Sequence, residues 1–316
     1  ISKGIQAMEK VNWYIPNIVT ETKLNLHKRS SGIATFHLIW RCLLHILIFF
    51  LLFLSIRGHK VAASFFLALA NGFTISFLGW AGAGHEYFHS TAFANNKINR
   101  FLFRFFSCVT WNNWGWFEVS HLMHHKFTLH ISDPEGPPKS GFSYSRLFWL
   151  CTIDFPIFFR RIYVLFLNVF GKLPVTNPYI SNVLASKPNL RRRISSGAAS
   201  VFLFQICLFI TLIQFNLIFA LIVSLGPFTF TLINRVLEIN QHISMQAHAE
   251  DFRDNSRTIR FNFFLEMLYS NMNFHAEHHM FPGVPYYKLP ALHTLLLQEE
   301  LIRNPSKGFM KGLANA

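Results

Sequence analysis

Eight histidines fall into three tight clusters: His85-Glu86-Tyr87-Phe88-His89, His121-Leu122-Met123-His124-His125 and His275-Ala276-Glu277-His278-His279. Residues at i, i+3 and i+4 share one face of a helix. On that ground each cluster is expected to turn two or three imidazoles towards a common point. Neutral imidazole is the commonest protein ligand for zinc, copper and iron. Eight rings exceed the four that a zinc ion ordinarily takes, so the spacing predicts two metals with open positions. A candidate for a ninth ligand lies in Asn240-Gln241-His242-Ile243-Ser244, just after the last long apolar run. His242 lies four residues after Glu238, on the same helical face, and His248 competes with it. His45, His59, His130 and His293 stand alone and read as interfacial or surface residues.

Metal-bound histidines usually pass their second ring N–H to a carboxylate or a carbonyl. Glu86, Glu118, Asp133, Glu238, Asp251 and Glu277 are the nearest candidates for that duty, and Asn273 is a candidate to reach a metal through water. Of these, Glu86 and Asn273 are the residues assigned a supporting catalytic role. A rival chemistry comes from His85-Glu86-x-x-His89, which matches the zinc-protease pattern with Glu86 as general base. That reading uses one zinc and leaves both His-x-x-His-His clusters unexplained.

The elements that must carry these clusters read as membrane. Hydrophobic residues make up 51% of the chain and charged residues 14%, with 37 Phe, against about 25% charged in soluble domains. The formal net charge is +14. The basic residues flank apolar runs, which fits anchoring at anionic leaflets and argues against nucleic-acid binding. The four cysteines are isolated and supply neither a Cys-x-x-Cys ligand set nor a disulfide framework. The first thirty or so residues are polar and mixed, and predict no cleavable leader.

A spanning helix needs about 20 mostly apolar residues. Residues 34–56, 61–82, 198–215 and 217–237 meet that need and predict four spans in two hairpins. Residues 101–116 and 147–170 are apolar but interrupted by Arg104, Asp154, Pro156, Arg160 and Arg161, and predict helices lying in the interface. Trp111, Trp114 and Trp116 read as an interfacial belt rather than as the wall of a substrate channel. Lys23, Lys28, Arg29 and Arg191-Arg192-Arg193 place the starts of the first and third spans in the cytosol. The expected fold is thus an all-α integral membrane protein, a single domain over 1–316. Both termini are expected in the cytosol, and so is a histidine-rich cap made from 85–125, 242 and 275–279. A metal transporter would put its ligands inside the spans, and these spans hold almost none.

The clusters resemble the three histidine boxes of the membrane fatty acid desaturase and hydroxylase superfamily. His85-Glu-Tyr-Phe-His89 resembles the first box, and Ser120-His-Leu-Met-His-His125 followed by Asp133-Pro-Glu135 resembles the second. The most specific stretch runs from Asn271 through His275-Ala-Glu-His278-His279 to Pro282, then Val284-Pro285, Leu289-Pro290 and His293. It is similar to a bacterial branch that includes rhizopine-oxygenase-like proteins, as is the stretch from Gln241-His242 to Arg257-Thr258. The resemblance covers roughly residues 82 to 293.

The resemblance implies a metal set of His85, His89, His121, His124, His125, His242, His275, His278 and His279, holding two non-haem iron ions, with O2 as co-substrate. It implies an oxidoreductase that attacks an unactivated C–H bond of an acyl or other hydrophobic substrate, by desaturation or hydroxylation. The alternative within that class is a monooxygenase or demethylase of a small non-lipid molecule. Electrons must come from outside, because the chain has no four-cysteine iron–sulfur pattern and no Gly-x-Gly-x-x-Gly nucleotide fingerprint. A ferredoxin, rubredoxin or cytochrome with an acidic face is the expected partner at the basic cytosolic surface.

Overall fold

The computed structural model describes residues 10–136, 143–175 and 177–302, and among these every regular element is a helix. The chain ends, 1–9 and 303–316, for which the charge pattern predicts a cytosolic position, lie outside the described residues. In chain order the helices begin with α1 (Thr20–His27), α2 (Ser31–Arg57), α3 (Val61–Ser76) and α4 (Ala83–Phe88). Next come α5 (Asn96–Val109), α6 (Trp114–Phe127), α7 (Tyr144–Cys151), α8 (Phe155–Val169) and α9 (Pro178–Ser186). The remainder are α10 (Pro188–Ile213), α11 (Leu217–Leu225), α12 (Leu232–Asn240), α13 (Phe252–Asn255), α14 (Phe263–Leu268), α15 (His275–Met280) and α16 (Leu289–Gln298).

Two helices, α2 and α10, are long and apolar enough to cross a membrane. At 1.5 Å per residue each reaches about 40 Å, more than the roughly 30 Å of bilayer hydrocarbon. Phe36, Ile39, Leu43, Ile46, Phe50 and Leu54 of α2 are all exposed, as are Leu203, Ile206 and Ile210 of α10. A continuous apolar stripe left uncovered along a helix has lipid as its natural solvent. Ser30 caps α2, its hydroxyl accepting from the Ile33 amide at 3.4 Å.

The other two expected spans are shorter than their hydropathy suggested. α3 ends at Ser76, six residues before the predicted limit, because the glycine-rich turn through Gly79 and Gly82 takes over and swings the chain into α4. The span expected over 217–237 breaks after Leu225 at Gly226-Pro227, which form a single 3-10 turn. Proline lacks the N–H an α-helix needs and clashes with the preceding turn. α12 is therefore a separate, amphipathic helix. Gly72 of α3 meets this break so closely that a Cβ there would lie 2.1 Å from the Thr229 carbonyl oxygen. α2 packs on α3, α10 packs on α11, and α11 touches both α2 and α3.

Asp154 and Pro156, which interrupt the apolar run 147–170, mark a helix start. Asp154 caps α8, accepting from the Ile157 amide at 3.2 Å, and Pro156 sits in the first turn. Exposed Phe155, Phe159, Tyr163, Phe166 and Phe170 line one side of α8, the pattern of a helix lying on a membrane surface. The tryptophans do not form an exposed belt. Trp111 Nε1 donates to the Ser224 carbonyl at 3.0 Å and Trp114 Nε1 to Ser200 Oγ at 2.9 Å, which ties the α5–α6 turn to α10 and α11.

Candidate metal centre

Four short pieces deliver the histidines. The turn after α3 aims α4, because Ala83 N and Gly84 N donate to the carbonyls of Phe77 and Leu78 at 2.9 and 3.1 Å. α6 starts at Asn113, whose side chain accepts from the amides of Gly115 and Trp116 at 3.1 and 3.3 Å. Gly115 then lets α6 pass α10 closely, since a Cβ there would lie 2.4 Å from the Arg193 carbonyl oxygen. His242 follows α12 in a turn, and α15 begins where Phe274 pairs with Thr258 in an isolated antiparallel bridge.

The histidines assemble as two sets. His85, His89, His121, His125 and His278 form one, and His124, His242, His275 and His279 form the other, with the ligand atoms of each set within 4.8 Å of one another. The rings of His125 and His279 stack at 4.4 Å, so the sets are immediate neighbours. This corrects the expectation that each cluster serves one point. In both His-x-x-His-His clusters the i, i+4 pair goes to one set and the remaining ring to the other: His121 with His125 against His124, and His275 with His279 against His278. At about 100° per residue, i+4 returns to within about 40° of its start while i+3 falls about 60° to the other side. Each cluster therefore straddles the boundary between the sets.

The tautomers show what the inner faces offer. His124 Nδ1 faces the Asp133 carboxylate at 3.0 Å, and His242 Nδ1 faces the Asn255 carbonyl at 2.9 Å. Both partners accept, so each ring donates from Nδ1 and keeps a lone pair on Nε2. His85 Nδ1 lies 2.9 Å from Glu86 and His121 Nδ1 lies 2.9 Å from Glu135. His279 Nδ1 faces Thr128 Oγ1 at 3.3 Å, a hydroxyl whose own proton goes to the His124 carbonyl.

Inside the sets, Nε2 atoms face one another. The separations are 3.2 Å for His89–His121, 3.0 Å for His121–His125 and 3.2 Å for His125–His278. In the other set they are 2.9 Å for His242–His275 and 3.0 Å for His275–His279. Where both nitrogens carry lone pairs, such distances are repulsive without a cation between them, and a buried nitrogen without a donor is costly. Ligands bonded to one cation at roughly 2.0–2.1 Å and at right angles stand about 3 Å apart. The donor set therefore fits a transition metal in each group.

Burial, first, and neighbouring rings, second, hold the histidines neutral. His85 is pushed down to about 3 and His242 likewise to about 3. His89, His121, His125, His275, His278 and His279 all lie well below the ordinary imidazole range for the same reasons. For His124 burial also works downward, but Asp133 and Glu135 outweigh it and the net shift is up. Burial pushes Glu86 up to about 8 and Glu135 up to about 7. The Glu135 side chain is 27% exposed, so water tempers that rise. A cation across each ring acts in the opposite sense and favours the carboxylate.

The nominated supporting residues divide. Glu86 and Asp133 hold ligand rings, but Glu118 pairs with Arg193, Glu238 with Arg235 and Asp251 with Arg253. Glu277, fully buried between two ligand positions, turns outward and bonds Thr258 and His293. Asn273 donates from Nδ2 to the Ile259 carbonyl at 2.9 Å and to Glu266 at 3.0 Å, and contacts no histidine by hydrogen bond. Sequence reasoning missed Glu135 and Thr128. The Asp133-Pro-Glu135 stretch carried a signal for the first, while Asn255 acts through its backbone and has no side-chain signature.

The lone histidines also need correction. His45, His130 and His293 are buried, at 7%, 8% and 3% exposure, and only His59 is on the surface. His45 bonds the Arg41 carbonyl within α2, and His130 faces the Ala249 carbonyl. His248 belongs to neither set; its ring stacks edge-on against His130 at 5.2 Å. In the protease reading Glu86 would face a metal-bound water. Here it grips the outer nitrogen of His85, and His85 and His89 join three further histidines.

The profile of a family described as Fatty acid desaturase matches residues 60–305, most of the chain. No curated protein matches the sequence significantly.

Proposed function

The chain belongs to the fatty acid desaturase family, and from that premise we propose that it is a membrane oxidase with two iron ions that uses O2 to desaturate or hydroxylate a lipid acyl chain. Oxidoreductase activity is what the family implies; the metal, the oxidant and the substrate are the proposal. The observation that carries it is the division of nine histidines into two adjoining sets, inside which Nε2 atoms face one another while His124 and His242 spend Nδ1 on outer acceptors. Bound there, iron would supply oxygen activation and hydrogen abstraction, chemistry that side chains alone lack.

The residues of the chain do the rest. His85, His89, His121, His125 and His278 would hold one ion, and His124, His242, His275 and His279 the other. Glu86, Glu135, Asp133, Thr128 and the Asn255 carbonyl orient rings and fix their tautomers. Phe117 and Phe252 cover His121 and His279, with ring centroids 4.5 and 5.2 Å away, and exclude water from those faces. Electrons come from an external one-electron carrier protein docking on the cytosolic side. In this reading α2 and α10 cross the bilayer, and the shorter α3 and α11 complete two hairpins beneath the cap.

The test is metal analysis of the purified protein together with mass spectrometry of lipids and small metabolites from cells expressing it or its His278→Ala variant. Two irons per chain and a new double bond, or a lipid heavier by one oxygen, seen only with the intact protein support the proposal. One zinc per chain would sink it. An oxidised small metabolite with unchanged lipids would select the small-molecule monooxygenase reading, to which the similarity of residues 271–293 to rhizopine-oxygenase-like proteins gives some weight.

A further inference from the structure

Beside the metal centre lies a cavity of about 270 Å³ between α8 and the start of α6. Trp80, Trp116, Leu165 and Val175 give it apolar walls, and Arg160 and Arg161 supply its charge. No carboxylate lines it. A second cavity, of about 310 Å³, adjoins it and shares Trp80, Ile157 and Arg161. That one does contain acids, but each is already engaged: Asp154 by Arg146 at 2.7 Å and Glu238 by Arg235 at 2.5 Å. Arg161 donates to the Trp111 carbonyl at 3.3 Å and to Asn112 Oδ1, both neutral acceptors. Among the described residues it forms no ion pair. Glu238 and Asp154 attract this half-buried guanidinium through space without pairing with it, and its planar fork suits a carboxylate or phosphate.

From this arrangement we propose that the Arg160–Arg161 cavity is a binding site for the acid group of an amphipathic substrate, a carboxylate or phosphate joined to an apolar body. The proposal rests on the oxidase reading for its biological sense, but the site stands on its own charge and shape. Apolar walls accept the body while the two guanidinium groups take the head. The outer side of α8 presents Phe155, Phe159, Tyr163 and Phe166, so the cavity lies behind a helix suited to the membrane surface, where such amphiphiles concentrate. Stacked rings connect the cavity to the metal centre. Trp80 stacks on Phe117 at 4.6 Å, and Phe117 stacks on His121 at 4.5 Å. A head group held at Arg161 is thus separated from the five-histidine set by two ring layers.

The experiment is direct binding to the purified full-length protein in a neutral detergent, with three ligands of equal chain length: decanoate, decyl phosphate and decanol. Decanoate or decyl phosphate should bind at least tenfold more tightly than decanol. Arg161→Gln should remove that preference, Arg161→Lys should keep part of it, and Arg160→Gln should weaken it a few-fold. Preference for decanoate points to a free fatty acid, and preference for decyl phosphate points to a phospholipid head. Equal affinity for acid and alcohol, or an Arg161→Gln variant that still discriminates, overturns the proposal. If Arg161→Gln fails to give a monodisperse protein, the Arg160→Gln result decides, because that side chain is exposed. Binding requires neither iron nor electrons, so the His278→Ala variant should retain it. That separates failure of this site from failure of the oxidase reading.

Discussion

The two histidine sets share α6 and α15 but differ in their third source, α4 for one and the turn after α12 for the other, and they are supported differently. Behind the five-histidine set stand two carboxylates, Glu86 on His85 and Glu135 on His121, and two of its rings, His89 and His125, are only half-buried. Behind the four-histidine set stand one carboxylate, Asp133, and two neutral acceptors, Thr128 and the Asn255 carbonyl. All four of its rings are buried. The first set has more carboxylates and more access; the second is closed and held by one carboxylate and two neutral acceptors. The difference teaches that adjoining ligand sets built from repeated motifs need not be equivalent.

The sharpest way to break this comparison is to remove the ligand that no box supplies. His242→Ala should cut turnover at least about 100-fold, beyond the 10–100-fold ordinarily lost with a ring partner. Metal analysis of that variant should find less than two ions per chain, and His248→Ala should match the parent in both respects. Full activity in His242→Ala would reduce the ligand set to eight. A smaller effect is expected from the carboxylates. Asp133→Asn and Glu135→Gln should each lose about 10–100-fold in metal affinity or activity. Asp133→Asn should be the worse, because Asp133 also accepts from the amides of Leu129 and Glu135 at 2.9 and 2.8 Å. Equal losses would show that ring support alone matters.

The smallest effect is on stability. In the metal-free protein, His85 and His242 titrate near 3 when folded, against about 6.5 when unfolded. Between those values the unfolded chain binds more protons, so folding stability rises with pH there. The melting temperature of the apo-protein should therefore fall as pH drops below about 6.5. His124, whose shift is upward, acts in the opposite sense but above about 6.5, so its contribution is already complete where the fall begins. A melting temperature that is flat from pH 7 to pH 5 would contradict neutral burial of these rings. Bound metal should deepen the pH dependence, since protons compete for the same nitrogens.

Much of this molecule was legible because local rules govern it. The apolar lengths located α2 and α10, although α10 starts at Pro188, ten residues before the predicted span, with Arg191–Arg193 inside the helix. Asp154-x-Pro156 and Gly226-Pro227 carried their own punctuation. Hydropathy averaging passed over the second pair, and that is why the span expected over 217–237 divides into α11 and α12. The lone histidines were misplaced for a related reason. A polar residue in an apolar sequence reads as peripheral, yet His45, His130 and His293 each find an acceptor inside. Burial of a polar side chain depends on a partner, and partners such as Glu277 or the Ala249 carbonyl lie far away in the sequence.

The amino-acid sequence by itself determined the ligand chemistry: which residue types can offer a metal their nitrogens, how they repeat along a helix, and that apolar segments carry them. Those properties reside in side-chain type and in the fixed pitch of the helix, so they survive without knowledge of the fold. Tertiary structure decided how the rings are shared. Pitch turns His124 away from His121 and His278 away from His275, but only the mutual packing of α4, α6 and α15 decided which rings share a set, admitted His242 over His248, and put Glu135 behind His121. Each of those outcomes depends on the orientation of segments separated by tens of residues, which backbone pitch does not encode and packing alone supplies.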